Sequence, residues 1–595
     1  MSISTKKTCI LNVNLLYYKN RVIIAFYKLG RLDMNNKWVL PETPSAEQID
    51  MIVNRTGANR LVAAILAVRN FSPEQAKTFL DKSINEYHSP FLFSDMKNAV
   101  ERVYKAIENN EKITVYGDYD ADGITASVIL TDCLQRLNAD VIYYIPEREN
   151  EGYGMSKAAV KYLAESGTKL IISVDCGITA VEECEYAKTV GVDLIVTDHH
   201  ECGEKLPDAV GVIDPKRTDC TYPDKCLAGV GVALKLCQAL LFEKEEMSVV
   251  AERYAEFVAL GTIADIAPLT GENRVLCDIG LNKISNTQNL GFKELLRLAN
   301  LEGKEIDGTK VGFQIAPKIN AAGRLEDASK AVRLFLTNDK TEAEQIALGL
   351  EECNRKRQEI ELEILHEAER MVNKYYKDDQ VLVLANKKWH HGVVGIVSSR
   401  LTKKYNRPCI LISPSADGNY KGSGRSLEGF SLYDALNACS DVLIKFGGHE
   451  LAAGLVIDKT KVDEFREKIN AYAKEILDNN PLIPVLEADC ELRGRHLNLT
   501  SVDMLEVLKP FGAGNKQPVF VIRNMTVQKI SKIGNDGQHA KFKLEKDGCV
   551  IDAIAFGFGN KIDFSFGSVV SVMANLEMNM FRGEKNAQLK IIDIR

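Results

Sequence analysis

The sequence predicts an α/β protein with a parallel-sheet domain, a long connecting helix, a second α/β domain and a terminal β-barrel of the OB type. Three observations predict it. Between residues 112 and 270, short β-rich apolar runs alternate with helical stretches, as βαβ units do. Residues 339–378 are strongly charged, with no Gly or Pro from Leu350 to Asp378, the pattern of one uninterrupted helix. From residue 484 onward, short strand-like runs are separated by Gly and Asn turns.

The elements follow in order. Residues 1–33 are basic, with a short apolar run at Val22-Ile23-Ile24-Ala25-Phe26 and no small-residue cleavage site after it. They are expected to be an extension ahead of a start at Met34, without a role in the chemistry. Residues 45–110 carry helical spacing, as in Ala46 to Val53, and Ser72-Pro73-Glu74-Gln75 is a capped helix start with Pro at the first helical position. The strands of the parallel sheet are expected at Ile113–Tyr116, Val141–Ile145, Leu170–Val174, Leu194–Thr197 and Val210–Ile213. The charged helix is a rigid spacer between two lobes, and Val381–Leu384 opens the second α/β unit. The expected domains are therefore the extension 1–33, the parallel-sheet domain with its N-terminal helices 34–335, the connecting helix 336–378, the second α/β domain 379–480 and the barrel 481–595.

Composition sets the outer limits. A chain of 595 residues exceeds one core and fits three or four domains at ~150 residues each. It is 45% hydrophobic and 26% charged, which excludes a mainly disordered or fibrous chain. The net charge of −7 leaves no global basic field, so any nucleic-acid contact has to use local patches. The 14 cysteines contain no CxxC pair, so neither a disulfide framework nor a Cys-rich zinc site is expected, and a reducing cytoplasm fits. No apolar run reaches the ~18 residues of a membrane span.

The chemistry concentrates in Tyr116-Gly117-Asp118-Tyr119-Asp120-Ala121-Asp122-Gly123, three alternating carboxylates directly after a strand. Positions two apart in extended chain share a face, and carboxylates held together repel unless a cation joins them. A calcium loop of the EF-hand kind would need Glu at its twelfth position, where Ile129 stands. Three further apolar runs, expected as strands, end similarly: Asp175 after Ile171-Ile172-Ser173-Val174, Asp198-His199-His200 after Leu194-Ile195-Val196-Thr197, and Asp265 after Phe257–Ala264. Each Asp alone is an ordinary turn or helix cap. Four such segments lining the carboxyl ends of one parallel sheet point to a metal centre. Oxygen ligands with one or two imidazoles suit Mn2+ or Mg2+, and this many carboxylates suits two ions sharing ligands. The inferred reaction is hydrolysis of a phosphoester or phosphoanhydride; Cys176 and Cys202 are read as bystanders.

These motifs resemble those of the DHH phosphoesterases. The residues carrying the likeness are Asp118-Tyr119-Asp120-Ala121-Asp122-Gly123, Val174-Asp175-Cys176-Gly177, Asp198-His199-His200, Gly261-Thr262-Ile263-Ala264-Asp265 and Pro317-Lys318-Ile319-Asn320-Ala321-Ala322-Gly323-Arg324. Pro146–Gly154 adds to them. The second lobe is similar to the DHH-associated domain at Trp389–Ile396, Gly422-Ser423-Gly424-Arg425-Ser426 and Gly447–Gly454. Within the superfamily the chain resembles the single-strand-specific 5′-to-3′ DNA exonucleases, and the likeness runs from about residue 34 to the C-terminus of this chain. The resemblance implies Asp118, Asp120, Asp175, His199 and Asp265 as ligands of two Mn2+ or Mg2+ ions. It implies that His200 ligates or touches the scissile phosphate and that Asp122 ligates or orients a neighbour. Smaller phosphatases of the superfamily place a His where Thr114 stands here, so one ion takes a ligand from elsewhere or binds more weakly.

Substrate contacts are implied in the same way. Arg148 and Arg324 are expected in Gly-flanked loops as phosphate contacts; for Arg324 the plain alternative is a salt bridge to Glu326 or Asp327. Gly422–Ser426 is expected as a small loop whose N–H groups nest a phosphate, with Ser423 and Arg425 holding the terminal 5′ phosphate. His449, before Ala452-Ala453-Gly454, is expected at the scissile phosphate or the adjacent nucleotide, with tight helix packing of the small residues as a compatible reading. His390 and His391 beside Trp389 are weaker candidates. Residues 519–595 hold eleven Lys/Arg against eight Asp/Glu, interleaved with Phe542, Phe556, Phe558, Phe564 and Phe566. More than half of these Phe are expected in the barrel core, and strand binding is the barrel's expected role.

The expected function is thus a single-strand-specific 5′-to-3′ DNA exonuclease of repair and recombination, releasing 5′ mononucleotides. Helicase and single-strand-binding protein are partners by family only; a cytoplasmic monomer without membrane contact is expected. A phosphoesterase for pyrophosphate, short oligonucleotides or cyclic dinucleotides would need neither the OB-like segment nor the long helix. A non-catalytic strand-binding scaffold would lack several metal carboxylates, and all are present.

Overall fold

Burial on both faces decides the first sheet. In the computed structural model, which describes residues 36–83, 87–147, 151, 154–415, 418–478, 482–534, 536–559, 563–581 and 583–595, five parallel strands form it: β1 Lys112–Gly117, β2 Val141–Tyr144, β3 Thr168–Val174, β4 Asp193–Thr197 and β5 Gly211–Ile213. Ile113, Val115, Leu170, Ile172 and Ile195 enter the core on one face. Tyr116, Ile171, Leu194 and Val196 enter a second core on the other. That is why the runs read as continuously apolar rather than alternating. The order β2-β1-β3-β4-β5 puts a topological switch between β1 and β3, the place where such sheets bind ligands at their carboxyl ends. The expected 1–33 extension lies outside the described residues.

Six helices of the same unit matter for the site: α1 Ala121–Arg136, α2 Gly229–Leu240, α3 Met247–Ala264, α4 Ala316–Leu325, α5 Lys340–Tyr375 and α6 His391–Tyr405. The run Phe257–Ala264, expected as a strand, is the end of α3. Every residue from Tyr254 to Thr262 is buried, so the 3.6-residue period that would reveal a helix is hidden. α5 is a single 36-residue helix, about 54 Å long at 1.5 Å per residue.

The second sheet contains β6 Leu382–Ala385, β7 Cys409–Pro414, β8 Tyr420–Arg425, β9 Lys445–Gly448 and β10 Ala452–Ile457, in the order β9-β10-β8-β7-β6. One face packs on Phe430, Phe465 and Ile469; the other packs on α5 and α6 through Ile364, Ala368, Val393 and Val397. Two expectations are corrected here. Gly422–Ser426 is not a nest-forming loop, because β8 is paired on both sides and its ladder occupies the N–H groups a nest would present. Ala452-Ala453-Gly454 is strand rather than helix.

The chain forms two compact units, and residues 83–482 with 512–515 make the one described so far. The other unit joins residues 36–82 to 483–511 and 516–595. Its six-stranded sheet holds β11 Cys490–Glu491, β12 Phe520–Ile533, β13 His539–Lys546, β14 Cys549–Ala555, β15 Val569–Phe581 and β16 Glu584–Ile594. The order β11-β12-β13-β14-β16-β15 with the extra β12–β15 pairing closes five strands into a barrel. Phe520, Phe542, Leu544 and Leu589 fill it. Helices Ala46–Thr56, Arg60–Val68 and Pro73–Leu80 add Ile52, Val62, Ile65, Leu66 and Ala76 to that same core. The sequence reading grouped these helices with the parallel-sheet domain; an amphipathic face shows that a helix is covered, not by what. Phe558 and Phe564 also pack on the barrel core, whereas Phe556 and Phe566 are exposed.

Candidate metal centre

β1 and β3 deliver the first carboxylates on either side of the switch. Asp118 follows β1 and is buried. Asp120 caps α1: its Oδ1 accepts from the N–H groups of Asp122 (2.9 Å) and Gly123 (3.2 Å). The remaining first-turn donor, the Ala121 N–H, is taken by Asn320 Oδ1 of α4 at 2.8 Å. Asp175 follows β3 in the left-handed region, φ +60°. Its N–H donates to the Thr197 carbonyl at 3.0 Å, so a conformation costing of order 1 kcal/mol is held by the sheet.

β4 delivers the histidines. Asp198 spends both oxygens on positioning: Oδ2 accepts from Ile178 N–H (2.9 Å), and Oδ1 accepts from His199 N–H (2.7 Å) and lies 2.7 Å from His200 Nδ1. Burial alone would raise Asp198, but its bond to His200 and the surrounding donors hold it below the usual carboxylate range. His200 is opposed by burial yet pushed up to about 8 by Asp198. Burial and His200 bring His199 down to about 4, leaving it neutral at pH 7, the form that ligates metals. Its Nε2 stands 3.1 Å from Asp175 Oδ1 and 3.9 Å from both Asp122 Oδ2 and Asp265 Oδ2.

Two helices complete the cluster. Asp122 accepts from the first N–H groups of α2, Oδ2 from Gly229 (2.8 Å) and Oδ1 from Val230 (2.9 Å), where the helix dipole favours an anion. Asp265 ends α3, its carboxyl pushed up to about 6 by burial and by Asp120. Burial and neighbouring carboxylates also drive Asp122 and Asp175 well above the ordinary range. Close packing requires glycine twice. A Cβ on Gly229 would stand 2.5 Å from Asp175 Oδ1, and one on Gly261 would stand 2.7 Å from Asp122 Oδ1.

The donor set fits divalent cations. Three groups have ligand atoms within 4.8 Å of one another: Asp118, Asp120 and Asp175; Asp122, His199 and Asp265; Asp175, His199 and His200. Asp175 Oδ1 and His199 Nε2 are buried and have no hydrogen-bond partner among the described residues. Two facing lone-pair atoms in that state are what a cation between them satisfies. Hard oxygen donors with imidazole suit Mn2+ and Mg2+. The parallel sheet therefore brings Asp118, Asp120, Asp122, Asp175, His199, His200 and Asp265 together. Sequence reasoning named the Asp198-containing motif but gave Asp198 no role, although it follows a strand like the others. It gave none to Asn320, whose capping partner lies 199 residues away.

The other candidates lie elsewhere in this unit. Arg324 sits at the end of α4, not in a Gly-flanked loop, and its Nη1 donates to the Gly392 carbonyl at 2.8 Å. Glu326 and Asp327, its expected alternatives, bond Lys330 and Ser329. Ser423 and Arg425 share one face of β8, with Arg425 Nη1 3.3 Å from Ser423 Oγ and 2.8 Å from the Gly424 carbonyl. No carboxylate pairs with Arg425 among the described residues, and burial pulls its guanidinium down. His449 is exposed in the turn between β9 and β10, its N–H donating to the Ala452 carbonyl; Ala452 is the ladder partner of Arg425. His390 caps α6, its Nδ1 accepting from Gly392 N–H at 3.1 Å. Arg148 lies outside the described residues.

Comparison with known proteins extends this geometry. The model of the DHH family N-terminal domain matches residues 112–262, that of the DHHA1 domain 378–475 and that of the RecJ OB domain 488–593. The single-stranded-DNA-specific exonuclease RecJ of Bacillus subtilis is 38% identical over 94% of this chain and 70% of its own length. The protein of the same name from Dickeya dadantii is 36% identical over 86% of this chain and 92% of its own. The crystal structure of RecJ in complex with Mn2+ from Thermus thermophilus superposes with a TM-score of 0.81 at 30% identity, covering 95% of this chain and 80% of that one. Its Mg2+ complex gives 0.75 at 28% identity, covering 94% and 78%.

Proposed function

The chain belongs to the RecJ family of single-stranded-DNA-specific exonucleases, and we propose that it digests DNA single strands from the 5′ end by metal-dependent hydrolysis, releasing 5′ mononucleotides. One observation carries the chemistry: Asp175 is shared between two ligand groups that meet at the sheet's switch point. Asp118, Asp120 and Asp175 would hold one Mn2+ or Mg2+ ion; Asp175 and His199 would hold a second, with Asp265 reaching it from 3.9 Å beyond His199 Nε2. When bound, such a pair activates water and neutralises charge on the phosphate. Asp122 anchors the amino end of α2 beside the cluster. Asp198 orients His200 toward a role at the scissile phosphate.

Polarity comes from the second sheet. Arg425 carries a guanidinium fork with no carboxylate partner among the described residues, next to the Ser423 hydroxyl, an arrangement suited to a terminal 5′ phosphate. His449, Arg324 and Arg148 contact neighbouring phosphates in this reading. The barrel also binds single strands, using exposed Phe556 and Phe566 with local basic residues. A helicase exposing ends and a single-strand-binding protein are the proposed partners, and the protein works as a monomer. No helix among the described residues is long and apolar enough to cross a membrane. The proposed place is the cytoplasm, whose reducing conditions suit the free cysteines among the described residues.

The test is digestion of long single strands labelled at either end, with Mn2+. Early release of label as mononucleotide from the 5′-labelled strand, with late release from the 3′-labelled strand, is expected. Hydrolysis confined to short oligonucleotides or pyrophosphate would replace this reading with that of a small-substrate phosphoesterase.

A further inference from the structure

The carboxylates of the metal centre are not held alike. Asp118 and Asp175 leave strands of the parallel sheet, and Asp120 is fixed at the start of α1. Asp265 has no strand behind it. It ends α3, its N–H donating to the Gly261 carbonyl at 2.9 Å. The chain then reverses at Ile266, φ +62°, a backbone region that is a genuine outlier for a β-branched residue. Such strain persists only where the surroundings over-determine the conformation. The residues just beyond it are bonded in turn. Ala267 N–H donates to the Thr262 carbonyl at 3.1 Å, and Leu269 N–H donates at 2.8 Å to the carbonyl of Ala513, a residue of the same compact unit. Between them, the Pro268 carbonyl accepts from the side chain of Asn273 at 3.1 Å.

Asn273 lies in the helix Gly271–Ser285 and is fully buried. Its Nδ2 donates twice, to the Pro268 carbonyl and, at 2.6 Å, to the carbonyl of Cys226. Cys226 stands just ahead of Gly229, where α2 begins. The amide also lies against the first turn of α2: a Cβ on Gly231 would stand 3.8 Å from Asn273 Oδ1. That turn supplies the Gly229 and Val230 N–H groups that Asp122 accepts. One side chain thus ties the segment leaving Asp265 to the segment entering α2. Those segments position Asp265 and Asp122, two members of the group they form with His199. Asp118, Asp120 and Asp175 are held instead by the sheet and by the caps of α1. Packing alone does not call for an amide at this place. Its Oδ1 is buried without a hydrogen-bond partner among the described residues, a cost that an apolar side chain of similar size would avoid. What the amide contributes is its two donors.

We propose that Asn273 is a positioning residue of the metal centre, setting the affinity for the ion that Asp265 reaches and leaving the ion of Asp118, Asp120 and Asp175 to the sheet. The inference rests on the two-ion exonuclease reading and names the side chain that tunes one ion apart from the other. Groups that orient metal ligands govern metal affinity although they never touch the ion. Without the two donors, the strained path through Ile266 loses the bond at Pro268 and is free to relax. Asp265 Oδ2 then leaves its place 3.9 Å from His199 Nε2, and the amino end of α2 shifts under Asp122. The other ligand group keeps its geometry.

The test uses the full chain, freed of metal and titrated with MnCl2 by calorimetry, beside digestion of a 5′-labelled single strand. Asn273→Leu keeps the approximate size of the side chain and removes both donors. It is expected to bind one Mn2+ as the parent does and the other about ten- to hundredfold more weakly. Digestion at limiting Mn2+ is expected to fall about as far. Excess Mn2+ is expected to return kcat to within about twofold of the parent, with KM for DNA unchanged. Asn273→Ser retains one donor; its weaker ion is expected to bind between the parent and the leucine variant, and it carries the same comparison where Asn273→Leu does not fold. Two affinities equal to the parent's, equal weakening of both ions, or a loss that excess Mn2+ does not restore overturns the inference. A parent that binds two ions yet digests no single strand overturns the exonuclease reading alone.

Discussion

Asp198 shows how a side chain works through another. Buried, with both oxygens accepting hydrogen bonds and outside the three ligand groups, it fixes the Nδ1 side of His200. Replacing it with Asn keeps the size and removes the charge. Asp198→Asn is expected to lower kcat about ten- to hundredfold with KM for DNA within about twofold. The limb of the pH–rate profile set by His200, which Asp198 holds up at about 8, should move to lower pH. An unchanged profile would remove Asp198 from this role. The cluster also makes metal binding pH-dependent. Asp265 is raised to about 6, so below that pH a proton competes with the ion, and above it the carboxylate is ready to ligate. The rise in melting temperature given by Mn2+ is therefore expected to be larger at pH 7.5 than at pH 5.5, and chelation should abolish it. Equal shifts at the two pH values would contradict the ligand assignment. The carboxylates themselves were legible in the sequence, because acids repeated after apolar runs have few purely structural uses. Asn320 was not: a lone amide in a helical stretch gives no sign of the N–H it caps.

At the scale of elements, the α4–α1 contact couples two segments far apart in the chain. Asn320 takes the Ala121 N–H while Asp120 takes the next two, so the first N–H groups of α1 are all bonded where Asp120 joins the ligand group with Asp118 and Asp175. Asn320→Ala leaves that N–H without its partner, at a cost of about 1 kcal/mol. The expected outcome is a weakened Mn2+ affinity and lower kcat, with unchanged KM for DNA, read by calorimetry and steady-state kinetics. Unaltered metal affinity would show that the cap serves α1 alone. Strand positions in the parallel sheet were legible because sheets covered on both faces write themselves as apolar runs. The same logic misled for Phe257–Ala264: a helix buried all round also writes an apolar run. β8 misled in the opposite way. Its Gly and Ser composition suggested a loop, but ladders on both sides hold it as strand, and the Ser423–Arg425 pair arises from strand alternation rather than from a nest.

For the whole molecule, sequence patterning gave the succession of sheet, long helix, second sheet and barrel, since each has a different period. It did not give the partnership of Ala46–Thr56, Arg60–Val68 and Pro73–Leu80 with the barrel, because apolar faces do not name the surface they meet. Asp175 is the carboxylate common to two ligand groups, and the two-ion centre depends on it. The most direct measurement compares parent and Asp175→Ala for Mn2+ bound per chain and for release of mononucleotide from a 5′-labelled single strand. Two ions per parent chain, fewer in the variant, and loss of digestion by about a thousandfold or more are expected, the order that follows when a two-metal centre is dismantled. Digestion by Asp175→Ala at the parent rate, with an unchanged number of bound ions, would contradict that dependence.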